Sequence, residues 1–207
     1  ALGRLGWEDR RNHYADRPAL WLQLELEYPD GSVEVIRTDS EFTSHAGGVR
    51  ENSIYDGEAF DARLEPVGWD LPGFDDSEWG ATEEFDWPVE SLVSPAAEPI
   101  RRIEELAPVE ILTTPQGRTV VDFGQNISGW VRLKVEGTTG STITLRHAEV
   151  LVDGEADFET LRTAKATDSY TLRGDGIEEW EPRFTFHGFR YLQLDGWPGE
   201  LTADSVR

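Results

Sequence analysis

Cysteine is absent from all 207 residues, which excludes disulfide bonds and thiolate metal sites. Histidine is scarce. The four stand at positions 13, 45, 147 and 187, without the close spacing of a zinc-binding motif, and no metal is expected. Only Lys134 and Lys165 are lysines among 19 basic residues, against 41 acidic ones, for a formal net charge of −22. That balance excludes nucleic acid as a partner, because phosphates demand a cationic face. No apolar run approaches the roughly 20 residues that span a bilayer, so no membrane association is expected. No positively charged leader with an apolar segment follows Ala1, so no signal peptide is expected either. No common cofactor-binding or nucleophile motif is present, and no cofactor is expected. The compartment stays open, since a disulfide-free secreted protein and a cytoplasmic one read alike.

What is present is core material: 38% hydrophobic residues, 11% aromatic, and eight tryptophans, which argues against global disorder. A solvated anionic surface poor in lysine is what proteins in high salt carry, because salt screens the self-repulsion. Ordinary acidity on a GC-rich coding bias is the plainer alternative; the halophilic reading is favoured.

The hydropathy pattern is that of strands. Residues 20–28 put Leu20, Leu22, Leu24, Leu26 and Tyr28 on one face and Trp21, Gln23, Glu25 and Glu27 on the other, the period of a half-buried strand. Pro29-Asp30-Gly31 then turns the chain into a second alternating run, which predicts a hairpin. Residues 52–87 are punctuated by Gly, Pro and Asp and predict a loop-rich excursion with short strands, for instance near 60–64. Residues 91–99 lack periodicity and are the linker candidate. From Ile103 onward strands are expected again. Val131, Leu133 and Val135 share a face, Thr138-Thr139-Gly140 turns, Ile143 and Leu145 open the next strand, Tyr170 and Leu172 belong to another, and 184–194 forms the last. Only 155–166 suggests a helix. Short strands with turn signals between them indicate an all-β chain of antiparallel sandwiches.

Four blocks occur in order: RPALWLQLELEYPDGS; IYDGEAFDARLEPVGWDLPGFDDSEW; VVDFGQNISGWVRLKVEG; and LRHAEVL with LRTAKATDSYTLRG and EPRFTFHGFRYLQL. In these the chain resembles the bacterial α-L-rhamnosidases of glycoside hydrolase family 78. The resemblance covers nearly the whole chain. It implies two β-sandwich (jelly-roll or concanavalin-like) units: an incomplete N-terminal one over 1–95, entered near residues 6–9, and a concanavalin-like one over 96–207. It also implies that the catalytic acid and base lie in an α/α barrel following Arg207, so no catalytic residue is carried over to any position here. The barrel of the parent enzyme is the expected partner, with a rhamnose-containing glycan as the ligand. A free-standing carbohydrate-binding module or lectin is the alternative. Ser53, Phe60 and Thr160 stand where the family commonly has Asp, Tyr and Asn, so ligand roles there are not carried over.

Inverting hydrolysis needs two carboxyls about 6.5–9.5 Å apart. Asp75-Asp76 is the conspicuous doublet, but between Pro72-Gly73 and Trp79 it reads as a turn whose side chains cap main-chain N–H groups. A calcium site there has no ligand-loop spacing. Asp56 and Glu58, with Trp69 and Trp87, are the carbohydrate-binding candidates: carboxylates for sugar hydroxyls and indole faces for the pyranose. His147 and Glu149 fall on the face of Ile143 and Leu145. Either a bulge turns them outward or they are buried, bonded to each other or to a neighbouring domain. His187-Gly188 interrupts the last strand, and a bulge at Gly188 is expected. Asn126-Ile127-Ser128 is formally a sequon in a tight segment. The Leu20/Leu22/Leu24/Leu26 face is expected to be covered by the second sandwich, a partner chain or a homodimer.

Overall fold

The computed structural model describes residues 10–12, 15 and 17–207; the 6–9 run, Trp7 and His13 lie outside the described residues. In chain order the strands are β1 (Gln23–Glu27), β2 (Val33–Arg37), β3 (Thr43–Ser44), β4 (Val49–Ser53), β5 (Gly57–Asp61), β6 (Gly80–Ala81), β7 (Glu110–Thr113), β8 (Thr119–Gly129), β9 (Leu133–Glu136), β10 (Thr142–Ala148), β11 (Leu151–Val152), β12 (Glu155–Ala156), β13 (Thr167–Thr171), β14 (Ile177–Trp180) and β15 (His187–Asp195). Short 3₁₀ turns are the only helical elements among the described residues. The chain is all-β, as expected. Where a helix was expected over 155–166, β12 and a 3₁₀ turn at Glu159–Leu161 stand instead. Phe158 packs its ring under the Arg146 guanidinium rather than extending an apolar helical stripe.

Two compact units are present. The larger holds residues 47–66 and 104–207, with the described residues before 18; the smaller holds 18–46 and 67–103. In the larger unit a seven-stranded sheet runs β4-β5-β13-β10-β15-β8-β7. Its one parallel pair is β13 with β5, Tyr170 opposite Phe60. The β9–β14 pair, extended by a bridge from Leu133 to Val206, supplies the facing layer. Alternation fills the space between. Val131, Leu133 and Val135 point inward from one side, and Ile143, Leu145, Leu172, Leu192 and Leu194 from the other, all buried. Each such side chain contributes about 1.5–3 kcal/mol of burial. Tyr170 and Trp180 stack at 5.0 Å between the layers, with Phe60 6.0 Å from Tyr170.

Several boundaries differ from the sequence expectation. Residues 49–61 form a β-hairpin paired into the large sheet, and a 3₁₀ turn occupies Ala62–Leu64 where a strand was expected. Ile103 is 96% exposed and strands resume at Glu110, not at 103. The last strand begins at His187, because Thr185 bonds back to the Ser53 carbonyl and Phe184 is exposed. Its irregularity sits at Arg190, not Gly188. Two steps along β15, from Phe189 to Tyr191, face five along β8, from Ile127 to Asp122. The extra residues of VVDFGQNISG therefore bulge from one long strand.

The smaller unit carries the expected hairpin. Glu27 lies opposite Val33 and Leu24 opposite Ile36. Pro29 and Asp30 make the turn, Gly31 takes φ +84°, and Asp30 accepts from the Ser32 N–H and hydroxyl. The Gly31 N–H bonds back to the Tyr28 carbonyl and the Tyr28 N–H to the Ser32 carbonyl, closing a three-residue loop that needs a left-handed residue at Gly31. The hairpin stands as its own two-stranded sheet, and β3 with β6 forms another. Among the described residues of its apolar face, Leu20 is 68% exposed, Leu22 and Leu24 are exposed, and Leu26 is half-buried.

Candidate functional site

A buried polar cluster lies on the inner face of the large sheet. It arises from strand parity. Ile143 and Leu145 point inward, so His147 does too; Leu172 and Tyr170 point inward, so Asp168 does too. His187 enters from the start of β15, two residues before buried Phe189. No bulge relieves this, since β10 keeps its register through Ala148.

Asp168 is the hub. Its Oδ1 accepts from the Glu58 main-chain N–H at 2.8 Å and from His187 Nε2 at 3.1 Å, and its Oδ2 lies 3.8 Å from His147 Nε2. Gly57 makes this approach possible. At φ +104° its α-carbon sits so close to β13 that any Cβ would collide with the Thr167 carbonyl. The two imidazoles stack with centroids 4.1 Å apart, and Phe189 meets His147 edge-on. His147 Nδ1 is 2.8 Å from the Ala166 carbonyl oxygen. A carbonyl can only accept, so Nδ1 carries the hydrogen and Nε2 carries a lone pair. That buried Nε2 has no hydrogen-bond partner among the described residues. Burial, reinforced by His187 alongside, pushes the His147 pKa down to about 4 against the opposing pull of Asp168 and the Ala166 carbonyl, so the ring is neutral at pH 7.

Glu58 is buried as well, 1% exposed. Its carboxylate accepts from the main-chain N–H groups of Arg183 and Phe184, the latter at 3.0 Å. Burial raises its pKa; the two N–H groups partly offset this. Asp56, also buried, pairs with Arg11 at 3.2 Å. Both carboxylates are engaged in these contacts within the larger unit. Trp69 and Trp87 belong to the smaller unit, 45% and 55% exposed. The Trp87 indole N–H donates to Ser91 Oγ at 2.7 Å. The four carbohydrate-binding candidates are thus divided between the two units.

Glu149 departs from expectation. The strand ends at Ala148, so Glu149 leaves the inner face, is exposed, and accepts from the Asn126 side-chain amide at 2.9 Å. It is not bonded to His147. Asp75 and Asp76 behave as turn residues: Asp75 accepts from the Ser77 N–H, and Asp76 accepts from the Thr43 hydroxyl while its carbonyl takes the Trp79 N–H. Sequence reasoning missed Asp168 as a member of the cluster. Extending the Leu172–Tyr170 period back two residues would have found it. A concavity of about 560 Å³ opens beside β9 and β14, lined by groups including Lys134, Glu136, Ile177, Glu179 and Arg207; charges of both signs dominate it and no aromatic platform is present. Chemically, the buried cluster offers two imidazoles and a carboxylate within 4.8 Å of one another, too deep to flank a glycosidic bond. No helix among the described residues is long and apolar enough to cross a membrane.

Comparison with known proteins places this architecture. The profile of the alpha-L-rhamnosidase N-terminal domain matches residues 2–104, and that of the bacterial alpha-L-rhamnosidase concanavalin-like domain matches 112–207. An alpha-L-rhamnosidase of Streptomyces avermitilis is 45% identical over 94% of this chain and 19% of its own length. One from an Alteromonas species is 34% identical over 95% of this chain and 23% of its own. The crystal structure of native α-L-rhamnosidase from Aspergillus terreus superposes with a TM-score of 0.94 at 45% identity, over 99% of this chain and 24% of that one. The Streptomyces avermitilis enzyme complexed with L-rhamnose gives 0.92 at 44% identity, over 99% and 20%. This chain therefore spans about a fifth of the length of the curated relatives it matches. With both domain profiles matched in order and the fold shared almost throughout, the chain belongs to the α-L-rhamnosidase family, of whose members it spans the N-terminal and concanavalin-like domain region.

Proposed function

We propose that this chain is the non-catalytic β-sandwich portion of an α-L-rhamnosidase, which braces the catalytic part and helps shape a rhamnoside pocket that only the catalytic part completes. The parent reaction in this reading is inverting hydrolysis of terminal α-L-rhamnosides by an acid and a base carboxyl carried elsewhere in the enzyme. One observation carries it: relatives match nearly the full length of this chain with only about a fifth of their own. The site chemistry agrees, since Asp56 and Glu58 are buried and committed to Arg11 and to main-chain N–H groups. The division into 1–95 and 96–207 belongs to the same reading. Profile matches that meet between 104 and 112 support it, although β4 and β5 lend their hydrogen bonds to the second part. The exposed Leu20, Leu22 and Leu24 face is, in this reading, where the rest of the enzyme or a second copy of the chain rests. A high-salt habitat is supported by the −22 charge.

A free-standing sugar-binding module is the second reading, favoured by the exposure of Trp69 and Trp87. One experiment separates the two: incubate the purified chain with a chromogenic α-L-rhamnoside, and titrate it with L-rhamnose while following tryptophan fluorescence. The bracing reading expects neither turnover nor saturable quenching. Turnover above a mock preparation overturns it, and saturable quenching abolished in Trp69→Ala or Trp87→Ala transfers the role to the binding module.

A further inference from the structure

We propose that His147, Asp168 and His187 form a buried structural site for one divalent ion of the Zn²⁺ class, tying β10, β13 and β15 together. The inference is independent of the rhamnosidase reading. It begins with the lone pair on His147 Nε2, which has no hydrogen-bond partner among the described residues although the side chain is wholly buried. Buried polar atoms left in that condition are rare and call for a physical account. This one points at donors of the right kind. Asp168 Oδ2 is 3.8 Å away, His187 Nε2 lies 3.1 and 3.2 Å from the two Asp168 oxygens, and all three ligand atoms fall within 4.8 Å of one another. Bonds of about 2.0–2.2 Å to nitrogen and oxygen require ligand atoms about 3.0–3.6 Å apart, which small rotations of these side chains supply.

The supporting groups are already in place. A metal-bound imidazole donates its second ring N–H to a carbonyl or carboxylate, which fixes the tautomer. His147 does this with Ala166, whose left-handed backbone, φ +42° at a non-glycine residue, aims one carbonyl at both the ring and the main-chain N–H of His147. Coordination by His187 requires its Nε2 hydrogen to shift to Nδ1, which turns the Nε2 lone pair towards the ion and leaves Asp168 Oδ2 free to bind it. The main-chain N–H of Glu58 holds Asp168 in place from the neighbouring strand. Two imidazoles and one carboxylate suit Zn²⁺ and its neighbours over Ca²⁺ or Mg²⁺, which prefer oxygen. Closure from solvent fits a structural ion taken up as the chain folds.

The test uses the full chain, expressed once in Zn²⁺-supplemented and once in Co²⁺-supplemented minimal medium and desalted over chelator. Elemental analysis should find about one ion per chain. The Co²⁺ form should show the strong visible d–d bands of a four- or five-coordinate site, which surface carboxylates do not produce. Stripping the metal by prolonged chelation should lower Tm by about 5–10 °C, as expected for an ion held at about 100 times its Kd. His147→Gln and His187→Gln should each reduce retained metal at least about tenfold. Failure of those variants to fold would leave the Co²⁺ spectrum of the unaltered chain to decide. Metal-free protein with an unchanged Tm would overturn the proposal in favour of a buried water at Nε2, and so would retention undiminished by both substitutions.

Discussion

At the scale of single residues, the carboxylates of Glu58 and Asp122 hold the backbone together. Glu58 accepts from two main-chain donors across more than a hundred residues of sequence. Glu58→Ala strands both, at about 2–4 kcal/mol, measurable by urea denaturation; a change in sugar affinity at unchanged stability would contradict this assignment. Asp122 binds Arg190 through two bonds, 2.8 and 2.9 Å, and accepts from the Gly124 N–H. The Arg190 guanidinium lowers the Asp122 pKa. A carboxylate depressed in the folded state contributes stability that is present above its ordinary value of ~3.9 and disappears as pH falls through the lower folded value. The Arg190 side chain is 38% exposed, so solvent screening keeps the pair's contribution small. Asp122→Asn should therefore be slightly less stable than the unaltered protein at pH 7 and converge with it as pH falls through the depressed folded value. An equal gap at pH 7 and below that value would rule out the ion pair as its source.

At the scale of elements, two glycines of similar dihedral predict different outcomes. Gly31 turns the β1–β2 hairpin at φ +84° with nothing near its α-carbon. Gly57 stands at φ +104° against the Thr167 carbonyl and the Asp168 carboxylate. Gly31→Ala should cost about 1 kcal/mol, the price of a left-handed alanine. Gly57→Ala should cost more than about 3 kcal/mol, because β5 must withdraw from β13 and the N–H of Glu58 from Asp168. Comparable losses in the two variants, by denaturation, would show that the close approach of β5 to β13 does not limit stability. This contrast also marks what the sequence disclosed. Pro-Asp-Gly between alternating runs specifies a local hairpin. The parallel β5–β13 pair joins residues more than a hundred positions apart, and no local pattern encodes it.

At the scale of the whole molecule, 41 acidic against 19 basic residues repel one another in the folded state. Raising NaCl from 0.1 to 1 M shortens the screening length from about 10 to 3 Å. Tm should climb across that range. A flat or falling Tm would mean that the acidic surface is already compensated internally, and the high-salt reading would lose its physical basis.

Side-chain alternation was enough to establish an all-β chain, the β1–β2 hairpin and the inward faces of β9, β10 and β13, because period-two burial is a property of neighbouring residues. It also placed His147 on the core face. Tertiary structure alone decided that His187 and Asp168 meet His147 there, that Glu149 does not, and that residues 49–61 join the large sheet. Those outcomes depend on where strands end, where β8 bulges opposite Arg190, and which distant strands pair. Each is a balance of packing and hydrogen bonding among segments that are remote in the chain.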